Sequence, residues 1–212
     1  MKEKPPAVFI VDDDEAVRSS LRFVFKSVGL AATPFASAQA FLEAYDANQP
    51  GCLVLDVRMP GMSGLALQEQ LNLKGAMIPV IFISGHGDIP MAVEAIQHGA
   101  FDFLQKPFRD QDLIDRVQRA LAKDQTNRTA LKERARIRER FESLTPRERD
   151  VLALMTLGKA NKVMAAELSL SQRTIEIHRA HVMEKTGASS LAQLVRMAMD
   201  LNWSLPESTS RA

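Results

Sequence analysis

At 212 residues, 46% apolar and 25% charged, the chain has the composition of a globular protein, long enough for one large domain or two small ones. No apolar run reaches the roughly 18 residues of a membrane span, and the opening "MKEKPPAVFIVDDDE" is too acidic, and its apolar stretch too short, for a signal peptide. The formal charge of +1 hides an acidic half, residues 1–122 at net −4, and a basic half, residues 123–212 at net +5, so only the second half suits a polyanion.

The acidic half alternates two periodicities. "AVFIV" (7–11) reads as a strand, followed by a helix with Val17, Leu21, Val24, Phe25 and Val28 on its inner face and Gly29 as its stop. Asp14 and Glu15 read as surface or first-turn acids. "AATPF" (31–35) is a weak strand that Pro34 assigns to an edge. A helix follows from Ser37, its N-cap. "CLVLD" (52–56) and "VIFIS" (80–84) are continuously apolar, the pattern of parallel strands covered on both faces. Residues 64–73 read as a helix, and a helix with Pro90 near its start ends at Gly99. "FDFL" (101–104) is a fifth strand, and an amphipathic helix over 110–123 carries Leu113, Val117 and Leu121.

Five strands alternating with five helices predict an α/β fold, a doubly wound parallel sheet. Such sheets bind ligands outside the carboxyl ends of their strands. Asp12, Asp13, Asp56 and Ser84 fall at those ends, and Lys106 follows the fifth strand. Asp56 raises a question, because a strand that ends on a buried acid needs a reason. Clustered carboxylates repel unless a cation is bound. A hard divalent ion with few protein oxygens, Mg²⁺, fits them, and no His or Cys here has zinc spacing. With such an ion and Lys106 screening the charge, a carboxylate can attack a phosphoryl group. Cys52 reads as a buried reduced thiol, and His86, in "GHG", as a solvent-facing loop residue. A cytoplasmic location is expected.

Residues 123–142 are charged and lack Gly and Pro, which suggests a solvated helical linker, either continuous with the preceding helix or partly mobile. Residues 143–203 read as an all-α domain, with 204–212 as a tail. Thr145, Pro146 and Glu148 open a helix that Gly158 stops. A short helix over 161–168, a turn, and a helix from Ser171 to Gly187 form a helix-turn-helix, and 190–200 is a last helix. Ile175 and Val182 face the core, which puts Arg173, Glu176, Ile177 and Ala180 toward a major groove. Arg173 suits guanine, Glu176 cytosine, and Ile177 and Ala180 thymine methyls. Lys162, Thr174, Arg179 and Lys185 suit phosphates, with His178 either a phosphate contact or a packing residue. Met155, Met164, Met183, Met197 and Met199 read as core filler.

"IVDDDEAVR", "LVLDVRMPGMSG", "VIFISGHGD" and "FDFLQKPF" resemble the receiver domain of two-component response regulators over residues 7–122, and "TIEIHRAHVMEK" is similar to a LuxR-type effector. Together they resemble the FixJ/NarL type. The resemblance implies that Asp56 is the phosphoacceptor and that Asp12, Asp13, Asp56 and the Arg58 carbonyl hold Mg²⁺. It implies that Ser84 and Lys106 bind the phosphoryl group, that Phe103 is the aromatic switch, and that the Lys106–Pro107 bond is cis. The expected partners are a sensor histidine kinase, double-stranded promoter DNA with paired half-sites, a second copy of the chain after phosphorylation, and RNA polymerase, with no membrane. The expectation is a phosphorylation-dependent activator of transcription and not an enzyme. The alternative is a constitutive DNA-binding regulator whose receiver only docks. Glu176 and Ile177 put an acid and an apolar group where a base reader is often basic, so affinity should lean on dimerisation. An aspartyl-phosphate phosphatase is disfavoured because such enzymes place an acid where this chain has Arg58.

Overall fold

The structure, a computed structural model, describes residues 4–85 and 89–203. His86 and the tail over 204–212 lie outside the described residues. Two compact units divide the chain, Met1–Thr129 and Ala130–Ala212.

The first unit contains strands β1 (Ala7–Val11), β2 (Ala31–Phe35), β3 (Gly51–Asp56), β4 (Val80–Ser84) and β5 (Asp102–Gln105). All pair in parallel, in the order β2-β1-β3-β4-β5. Helices α1 (Glu15–Ser27), α2 (Ala38–Ala44), α3 (Gly64–Leu73) and α4 (Ile89–Gln97) connect them, and α5 (Asp110–Glu142) follows β5. Alternation along β1, β3 and β4 separates two apolar layers. Phe9, Val11, Leu53, Leu55 and Phe82 pack with Phe41, Leu67 and Leu71 of α2 and α3. Val8, Ile10, Cys52, Val54, Ile81 and Ile83 pack with Leu21, Phe25, Leu113 and Val117 of α1 and α5. Both faces are covered, so these strands are apolar throughout. Pro34 sits on edge strand β2, where a missing N–H has least consequence.

Asp14, Ser37 and Ser63 cap α1, α2 and α3 by accepting from the amides of Ala16, Ala40 and Ala66. The Lys106–Pro107 bond is cis. The fifth strand starts one residue later than its apolar pattern suggests. Val28 departs from the inner-face reading. It is 43% exposed because α1 has ended and it serves as the C-cap.

Helix α5 is continuous over 33 residues, so the charged stretch after 123 extends it. That stretch is not uniformly solvated, because Asp124 is 1% exposed. Its carboxylate accepts the Gly51 amide at the head of β3 and the Arg128 Nε, both within 3.0 Å. The Arg128 guanidinium reaches on to the carbonyls of Ala47 and Gln49, both at 2.9 Å.

In the second unit, α6 (Pro146–Thr156), α7 (Asn161–Leu168), α8 (Gln172–Thr186) and α9 (Leu191–Asp200) enclose a core with the end of α5. Phe141, Val151, Leu152, Met164, Ile175, Val182 and Leu194 are fully buried. Four of the five methionines do fill this core or pack against it, but Met199, at 70% exposure, does not. It lies in the last turn of α9, on the side away from the buried Ala198 and Leu201.

Candidate functional site

The strand order places β1 beside β3, and their register pairs Val11 with Leu55. Asp12 and Asp56 therefore come next to each other at the carboxyl edge of the sheet, at the point where strand order reverses. They are 1% and 8% exposed. The Lys106 ammonium bridges them, 2.9 Å from each carboxylate. β5 brings it there, and its amide donates to the Ser84 carbonyl at 2.8 Å, which ties the lysine to the end of β4.

The two acids are held in place by backbone. Asp12 accepts the Asp14 amide and Asp56 accepts the Arg58 amide. That second bond closes the turn after β3. Gly64 then packs its Cα against the Asp56 carbonyl, where a Cβ would lie 2.3 Å from that oxygen. Burial pushes the Asp12 carboxyl above its ordinary value, and bonds from Lys106 and the Asp14 amide do not fully offset this. Burial by itself would lower the Lys106 ammonium, but Asp12 and Asp56 outweigh it and hold its pKa above the ordinary value.

The remaining residues are arranged around this core. Ser84 is buried at the end of β4. Phe103 is half-buried on β5, with its ring centroid 6.4 Å from that of Phe82. Asp13 is exposed and is not drawn into the pair. Among the described residues no three acidic, His or Cys side chains are already gathered for a metal. The donor chemistry nevertheless suits a hard cation: two buried carboxylates, a third beside them, and a Asp12 carboxyl whose burial is incompletely compensated. Arg18 was not anticipated. From α1 its Nη1 donates to the carbonyls of Asp12 and Asp13, both at 2.8 Å, and holds the loop that presents both acids. Its signal in the sequence is the spacing alone, an arginine one turn past the capping Asp14.

In the second unit, α7, a three-residue turn and α8 form the helix-turn-helix. Ser171 caps α8 through the Thr174 amide, and Gly187 closes it with φ of +72°. Ile175 and Val182 are fully buried. Arg173, Glu176, Ile177 and Ala180 are exposed on the opposite side, and Lys162 is exposed on α7. Thr174, His178 and Arg179 are half-buried, and His178 Nδ1 is buried with no hydrogen-bond partner among the described residues. Lys185 is occupied elsewhere, because its ammonium lies 2.7 and 2.9 Å from the two oxygens of Glu148.

Residues 8–118 match the family described as response regulator receiver domain, and residues 142–198 match the bacterial regulatory proteins of the luxR family. Nodulation protein W of Bradyrhizobium diazoefficiens is 49% identical over 194 residues, 92% of this chain and 86% of that protein. Transcriptional regulatory protein FixJ of Azorhizobium caulinodans is 48% identical over 94% of each chain. Among solved structures, the response regulator StyR matches with a TM-score of 0.84 at 45% identity, over 92% of this chain and 98% of that one. Among the described residues no helix is long and apolar enough to cross a membrane.

Proposed function

The chain belongs to the response regulators that join a receiver domain to a LuxR-family DNA-binding domain, and from that premise we propose that Asp56 accepts a phosphoryl group from a sensor histidine kinase and so controls binding to promoter DNA. The observation that carries the reading is the buried pair Asp12 and Asp56 bridged by the Lys106 ammonium at the switch point of the sheet.

The chemistry follows from that geometry. An Asp56 oxygen attacks phosphorus, the bond to the donor's nitrogen breaks, and the donor imidazole keeps the electron pair. Asp12, Asp13, Asp56 and the Arg58 carbonyl would hold Mg²⁺, which would supply charge neutralisation for the incoming phosphoryl oxygens. Lys106 is already at the carboxylate and pairs with a phosphoryl oxygen once the group arrives. The Ser84 hydroxyl, at the adjacent strand end, binds another. Withdrawal of Lys106 and Ser84 toward the new charge of about −1.5 to −2 draws Phe103 inward along β5. The chain is a stoichiometric acceptor and not a turnover enzyme, working in the cytoplasm.

For the second unit the proposal is a DNA interface on α8. Arg173, Glu176, Ile177 and Ala180 read base edges, while Lys162, Thr174, Arg179 and His178 meet phosphates. Phosphorylation promotes a two-fold dimer on paired half-sites, and the bound dimer activates transcription by contacting RNA polymerase. The test is acetyl phosphate with Mg²⁺ followed by intact mass. Wild type should gain one phosphoryl group and Asp56→Asn none; equal labelling of both would overturn the assignment.

A further inference from the structure

The last turn of α8 is tied to the start of α6 through one buried carboxylate, Glu148. Thr145 caps α6 and Glu148 returns the bond by accepting the Thr145 amide at 2.8 Å, a capping box. The same Glu148, 3% exposed, accepts both contacts from Lys185, thirty-seven residues away in the last turn of α8. His181 Nδ1 stands 3.6 Å from the same carboxylate. On the other side, the Arg140 guanidinium packs against Gly187, where a Cβ would lie 2.9 Å from Nη1. Lys185 sits about 80° round the helix from Ile177, on the flank toward α6 and off the reading stripe.

Resting on the DNA-binding reading above, we propose that Lys185 is a positioning residue. It locks the recognition helix to the capping box of α6 through Glu148 and makes no phosphate contact of its own. The physical reason is competition. A lysine that holds both oxygens of a buried carboxylate would have to strip that charge of its lysine partner to reach DNA, leaving it to the Thr145 amide and His181, and breaking a buried pair is costly. The effect on DNA is geometric. Arg173 lies about 18 Å along the helix from Lys185, so a tilt of about 5° at the lock moves the reading end by about 1.5 Å, enough to misplace a bidentate contact.

The two roles make opposite predictions. Phosphate contacts strengthen binding to all sequences alike and steepen the salt dependence, whereas orientation of the reading side chains sets discrimination. The experiment selects a duplex from a random-sequence pool with the full chain treated with acetyl phosphate and Mg²⁺. It then measures affinity for that duplex and a scrambled one across salt concentrations, for wild type, Lys185→Met and Glu148→Gln. Glu148→Gln keeps the shape of the side chain and touches no DNA in either view. The lock predicts that both variants lose about tenfold in the selected-to-scrambled ratio, that the salt slope on the scrambled duplex is unchanged, and that the double variant is no worse than either single one. A uniform loss in Lys185→Met with a slope shallower by about 0.9, alongside a Glu148→Gln variant that binds as well as wild type or better, would overturn it. Should Lys185→Met fail to fold, Glu148→Gln alone decides, since the two readings give it opposite signs. A wild type that enriches no duplex would overturn the DNA-binding reading itself, and the lock with it.

Discussion

The carboxylate of Asp124 on α5 accepts the amide of Gly51 at the head of β3, 2.9 Å away, and so fastens a helix to the strand whose other end carries Asp56. Arg128 neutralises that buried acid and clamps the carbonyls of Ala47 and Gln49. Asp124→Leu should therefore cost the receiver about 3 kcal/mol, at the low end for a broken buried pair because Arg128 keeps some solvent contact. Urea unfolding followed by receiver-specific amide exchange should show the loss, with the effector unit unmoved. A change under about 0.5 kcal/mol would mean that the fastening is incidental.

Lys106 occupies the two carboxylates that the proposed Mg²⁺ would need. Lys106→Gln should bind Mg²⁺ about tenfold more tightly, a gain of about 1.4 kcal/mol, as read by calorimetry. The same variant should still accept phosphate on Asp56 but fail to pass the change on to DNA binding. Weaker Mg²⁺ binding would argue against competition.

Phe141, at the end of α5, is fully buried in the effector core and stacks edge-on to Trp203 with centroids 5.4 Å apart. Phe141→Ala should destabilise that unit by about 3–5 kcal/mol and leave the receiver's unfolding midpoint in place. Because Trp203 is the only tryptophan of the chain, its fluorescence reports this unit directly.

Burial pushes the Glu148 carboxyl up, but Lys185 and the Thr145 cap outweigh this and hold it below its ordinary 4.5. A depressed carboxyl contributes stability that is present above the unfolded value and is lost as pH falls through the folded one. The effector unit should thus lose stability below about pH 4.5. Glu148→Gln should flatten that decline, measured as the Trp203 unfolding midpoint at pH 7 and in the acid range.

On α8, Arg173→Ala should cost about 1–3 kcal/mol at one base pair and relax the choice there, while Arg179→Ala should weaken all duplexes together and reduce the salt slope by about 0.9. Competition binding with single-base variants of the selected duplex separates the two.

The parts of the molecule visible in sequence are those governed by local periodicity and strand order. Continuous apolar runs named β1, β3 and β4, Pro34 named an edge, and the alternation of elements brought Asp12, Asp56 and Lys106 to one sheet edge. Pairings across the fold were not visible. Asp124 was hidden in a charged run because its partner amide lies 73 residues away. Glu148 does form the capping box that its position at the start of α6 suggests, but its second role as partner of Lys185, thirty-seven residues on, has no local signal. Val28 and Met199 keep the helical spacing of core residues, but spacing does not tell that α1 has already ended at Val28 or that Met199 is left facing solvent.

Cys52 is the only thiol of the chain and lies fully buried on β3, on the face of the sheet covered by α1 and α5. Burial, with the charge of Asp124 adding to it, pushes its pKa far above the ordinary thiol range, and the reactive species is the thiolate. A thiol reagent can therefore reach it only when the receiver opens. The native chain thus carries its own clock. The rate at which a chromogenic disulfide reacts with it counts opening events of the receiver alone, inside the full-length protein, and the slowing of that rate by Mg²⁺ or a phosphodonor would weigh each ligand's grip on the fold without any label being introduced.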